Sequence, residues 1–72
     1  MNTKNSSVLV SELPLNRRTR LSFAGHPDMF YSTVSDFVQK YTREDVLGLH
    51  GMGLASLNDL ERAFINIGFT LN

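Results

Sequence analysis

No cysteine occurs in the chain, which excludes disulfides, thiolate metal sites and thiol nucleophiles together. Tryptophan is absent too, and the aromatic content rests on five Phe and two Tyr. An excess of one charge is also missing: seven Lys and Arg balance seven Asp and Glu. The total therefore lacks the basic footprint that usually marks a nucleic-acid binder. No apolar run approaches the roughly 18 residues a membrane span requires. The opening "MNTKNSSVLV" has too short an apolar stretch for a secretory signal. His26 and His50 stand apart, without metal-ligand spacing. The expectation is a chain with no membrane segment, no metal and no cofactor, working in the cytoplasm.

What remains suits a small core. The chain has 72 residues, one domain at most, and 42 % of them are hydrophobic. That content argues against wholesale disorder. Residues 1–11 read as a flexible, extended N-terminal arm, because Val8 and Val10 alternate but Pro14 interrupts. Residues 12–72 read as the folded domain. "RRTRLSF" suits a helical turn anchored by Leu21 and Phe23, and "AGHPD" breaks regular structure. From Pro27 or Asp28 to Lys40 the spacing predicts one helix, with Phe30, Val34, Phe37, Val38 and Tyr41 on a single apolar stripe. Thr42 and Asp45 stand at capping-box spacing ahead of a short second helix carrying Val46, Leu47 and Leu49 inward. A third helix follows Gly53, burying Leu54, Leu57, Leu60, Ala63, Phe64 and Ile67 and leaving Asn58, Asp59 and Glu61 in water. Gly68 is placed to terminate it in the left-handed conformation. Phe69 and Leu71 then return to the core. The expected class is all-α: a compact small helical domain with a helix-hairpin-helix and an extended N-terminal arm.

The tightest corner is "LHGMGLASL", Leu49 to Leu57. Gly51 and Gly53 can both take positive φ, with Met52 turned inward between them. The helix that follows offers unpaired N–H groups, and a helix N-terminus attracts anions through those donors and its dipole. Gly51, Gly53 and the Ser56 hydroxyl are thus candidate phosphate contacts. The plainer reading is a tight corner between helices with no ligand. Arg17, Arg18 and Arg20 fall within four positions, either as a solvated basic turn or as a partner for phosphate. Asp59 and Glu61 are two apart on a helix and point in different directions, so they are no catalytic pair. Neither Ser22 nor Ser56 has a His base in a recognisable frame, and no enzymatic constellation is visible.

"VSDFVQKYTREDVLGLHGMGLASLNDLERAFINIGFTLN", together with "ELPLNRRTRLSF", resembles the C-terminal domain of the bacterial RNA polymerase alpha subunit, over residues 12–72. Leu13 and Leu15 match that family's first apolar pair, and Arg18 the arginine that follows. Asp36-Phe37, the acid-rich short helix, Gly53 with Ser56-Leu57, and Gly68 with Leu71 match the later steps in order. The resemblance implies a DNA-binding transcription module. Arg18 would enter an A·T-rich minor groove, with Arg17 and Arg20 adding charge beside it. Gly51, Gly53 and Ser56 would face the adjacent phosphates. It also implies protein partners such as polymerase, sigma factor or activators, met by acidic Glu12 and Asp59, in a bacterial cytoplasm or nucleoid. Three departures favour the alternative of a protein-interaction module with DNA contact weakened. Leu21 stands where the family has Asn, and Leu54 and Ala55 where the turn is basic. Met1 and the polar "NTKNSS" suggest a free-standing short protein.

Overall fold

Three side-chain caps divide the chain into helices. Asn16, Thr33 and Thr42 each take extended backbone, and each side chain accepts an N–H from three residues on. The computed structural model describes residues 7–72. It contains a 3-10 turn at Val10–Glu12 and five α-helices: α1 Arg17–Ser22, α2 Pro27–Phe30, α3 Val34–Lys40, α4 Arg43–Leu47 and α5 Leu54–Asn66. The fold is a small all-α domain. Among the described residues the only β pairing is one antiparallel bridge, Leu9 to Thr33. No helix among them is long and apolar enough to cross a membrane.

Phe23, Phe37 and Phe64 are fully or almost fully buried, with Phe37 in contact with the other two. Phe37 lies 6.1 Å from Phe23 and 5.4 Å from Phe64, both edge-on, and Phe30 stacks on Phe23 at 5.5 Å. Edge-to-face and offset arrangements of this kind suit the ring quadrupole. Leu57, Leu60 and Val46 close the core from α5 and α4, with no exposed surface. Gly68, at φ 89°, ends α5. Its N–H reaches the Ile65 carbonyl and the Phe69 N–H reaches the Phe64 carbonyl, a Schellman pair that returns Leu71 to the core.

Several sequence expectations need correction. The helix expected from Pro27 to Lys40 is two helices. In a continuous helix the Ser32 carbonyl would accept from Asp36 and the Phe30 carbonyl from Val34. Instead Val10 N–H donates to Ser32, the Thr33 hydroxyl accepts from Asp36 N–H, and Val34 N–H donates to Val8. The N-terminal segment has thus exchanged places with helical partners.

Within the expected arm, Val10 is fully buried and Val8 packs against the core. The first six residues of the expected arm lie outside the described residues. Leu21 is 62 % exposed, because Thr19, Ser22 and Phe23 form the inward face of α1. Leu54, expected inside, is 64 % exposed; Met52 tucks under the turn and closes the core at that end. Leu47 is also partly exposed.

Candidate nucleic-acid interface

The turn after α4 depends on one glycine. Gly51 has φ 82°, whereas Gly53 is extended at φ −103° and serves as the N-cap of α5. The expectation of two left-handed glycines is corrected to one. A residue at Gly53 needs no special backbone freedom, but its lack of a side chain has a consequence. Leu57 N–H makes the first bond of α5, to the Gly53 carbonyl, and no side chain caps the helix. The N–H groups of Leu54, Ala55 and Ser56 precede that first bond and point out of the helix end.

Helix α1 brings arginine to this turn. A Cβ placed on Gly51 would lie 3.7 Å from Ser22 Oγ, so the turn and the last residue of α1 are near contact. Ser22 Oγ donates to the Arg18 carbonyl at 3.1 Å, one helical turn back. Arg18, Leu21, Ser22, His50 and Gly51 line one open depression. Arg17 and Arg18 are exposed, and their guanidinium groups have no hydrogen-bond or ion-pair partner among the described residues. His50, which has no metal-ligand spacing in the sequence, is exposed beside them. The residues brought together are therefore Arg18, His50 and Gly51, with Arg17 adjacent and the α5 N-terminus following.

The remaining candidates are employed elsewhere. Arg20 is not a free cation. Its guanidinium donates to the carbonyls of Ser11 (3.3 Å), Leu13 (2.9 Å) and Leu15 (3.3 Å), and lies 5.9 Å from the Phe30 ring centroid. It clasps the N-terminal segment. Ser56 is 2 % exposed, so its hydroxyl does not face a ligand, although its backbone N–H stays at the helix end. Asp59, expected in water and facing a partner, accepts from Asn16 N–H (2.9 Å) and Thr19 Oγ1 (3.0 Å) through Oδ2. Glu12 Oε1 accepts from Leu9 N–H at 2.8 Å, closing the 3-10 turn. Glu61 pairs with Arg43 at 2.9 Å, joining α5 to α4. Both acids proposed for partners thus have internal roles.

Sequence reasoning missed Asn16 and Thr19, whose three-residue spacing does signal a cap. It also misplaced Leu21 and Leu54, which border the site as exposed apolar surface. Among the described residues no group of three or more His, Asp or Glu is arranged to hold a metal ion. No protein-family model, curated protein or solved structure matches the chain.

Proposed function

We propose that this domain is a non-enzymatic DNA-contacting module of the transcription apparatus in the bacterial cytoplasm, a small relative of the polymerase alpha C-terminal domain. The observation that carries the reading is the placement of unpartnered Arg18 in one depression with Gly51, just before the uncapped N-terminus of α5. Arg18 enters a narrow A·T-rich minor groove, where the negative potential is enhanced. Gly51, Gly53 and the free N–H groups of Leu54, Ala55 and Ser56 meet the flanking phosphates, which position the protein without reading sequence. In this role the short helix, turn and long helix act as a helix-hairpin-helix.

The test is a salt titration of binding to A·T-rich and G·C-rich duplexes. Arg18 in the groove and Arg17 beside the backbone together displace about two counterions, so the log–log salt slope is about −2 and Arg18→Ala lowers its magnitude by about 1. Preference for the A·T-rich duplex and its loss in Arg18→Ala support the reading; no binding at low salt defeats it. A second reading is favoured by one observation. Leu21 and Leu54 are 62 % and 64 % exposed where the resemblance places polar or basic residues. On that reading the same face docks a transcription protein, with desolvated leucines in place of phosphate contacts.

A further inference from the structure

Helix α1 is six residues long, too short to hold its shape unaided. The residues it buries, Thr19 and Ser22, are both polar, and its one large apolar residue, Leu21, faces out. Phe23, the residue after the helix, anchors its end in the core, and Arg20 ties it to the N-terminal segment; at its start, hydrogen bonds, which are directional, are the restraint. Thr19 has no exposed surface, and its hydroxyl lies 2.9 Å from Asn16 Oδ1 and 3.0 Å from Asp59 Oδ2. Asn16 N–H donates to the same Asp59 oxygen, while Asn16 Oδ1 accepts from Thr19 N–H. One carboxylate on α5 thus holds both the cap residue and the third residue of α1. Arg17 and Arg18 lie between those two held points in the chain.

We propose that Asp59 is a positioning residue for the arginine pair: through Asn16 and Thr19 it sets the rotation of α1, and with it where Arg17 and Arg18 stand over the turn. This rests on the DNA-contact reading above. Asp59 itself touches no DNA. Both donors meet one oxygen, so an amide can replace the carboxylate and keep both bonds through its Oδ1. The negative charge is then dispensable for positioning and opposes phosphate nearby.

The experiment compares Asp59→Ala, Asp59→Asn and Thr19→Val with wild type, each alone and with Arg18→Ala. Affinity for an A·T-rich duplex is measured at a temperature where circular dichroism shows each variant folded. Asp59→Ala is expected to weaken binding by about five- to tenfold and to flatten the salt slope, since Arg18 no longer reaches its phosphate or groove. Asp59→Asn should bind as wild type or up to about threefold tighter, because a carboxylate near the phosphates is gone. In the Asp59→Ala background, Arg18→Ala should cost little more, the non-additivity expected of residues acting as a unit. If Asp59→Ala is unfolded, Thr19→Val takes its place, with an expected loss of about threefold from one missing bond. Wild-type affinity in folded Asp59→Ala, or in Thr19→Val where that takes its place, overturns the proposal, as does a full additional loss from Arg18→Ala in the Asp59→Ala background. Equal weakening by Asn and Ala overturns it too. If Arg18→Ala leaves wild-type binding unchanged, the DNA-contact reading itself fails, an outcome distinct from the others.

Discussion

At Gly51 and Gly53 two neighbouring glycines meet different demands. Gly51 at φ 82° lies where a Cβ crowds its own backbone, while the nearest other atom, Ser22 Oγ, is at an ordinary 3.7 Å. Gly51→Ala is therefore expected to cost about 1–2 kcal/mol from backbone strain alone, read from a urea titration. Gly53 already has the extended N-cap conformation, with open space around it. Gly53→Ser adds the missing cap, so stability should rise by a few tenths of a kcal/mol. Its hydroxyl would then occupy an N–H that the proposed phosphate uses, and DNA affinity should fall. A substitution that raises stability and lowers affinity separates a ligand site from a structural corner. Unchanged affinity in Gly53→Ser would argue against phosphate at this helix end.

Helix boundaries show where sequence and tertiary structure divide the work. Thr42 and Asp45 form a reciprocal box, Asp45 N–H to Thr42 Oγ1 at 3.3 Å and Thr42 N–H to Asp45 Oδ2 at 2.9 Å. That box was legible because both partners lie in one four-residue window. Thr33 and Asp36 have the same spacing, but the apolar stripe from Phe30 to Tyr41 runs across them and masks the break. What decides the break is the N-terminal segment, whose Val8 and Val10 take the backbone partners of a continuous helix. Nothing local announces that. Thr33→Ala should cost about 1 kcal/mol in a denaturant titration without fusing α2 to α3, since the competing partners remain. The candidate site divides likewise. Met52 inside the turn, Gly68 as terminator and the α5 start were readable from pattern. The internal contacts of Arg20 and Asp59 are not legible in the sequence, because their partners are carbonyls and donors on other segments, invisible to spacing. The pairing of Arg18 with the Gly51 turn rested on resemblance alone, and the depression they share is the structural observation that now supports it.

At the scale of the molecule, a chain this short has little stability to lose, on the order of 4–11 kcal/mol in total. Its first described residues carry a disproportionate share. Val10, Leu13 and Leu15 are in the core, Arg20 fastens the segment through three carbonyls, and Val8 and Val10 supply the bonds that separate α2 from α3. A chain beginning at residue 12, the boundary suggested by the sequence, would lose the buried Val10 side chain, worth about 1.5–3 kcal/mol. It would also strip the Val34 N–H and the Ser32 carbonyl of their partners and deprive Arg20 of the Ser11 carbonyl. An unmade bond at a buried group costs about 1–3 kcal/mol, so the combined loss approaches the whole stability of the domain. The shortened chain should therefore be largely unfolded at 37 °C, with its urea midpoint near zero. Val10→Ala in the full chain removes the side chain but leaves both backbone bonds, and its midpoint should fall between the two. A shortened chain as stable as the full one would mean that the core closes without Val10, and that the segment is an arm after all.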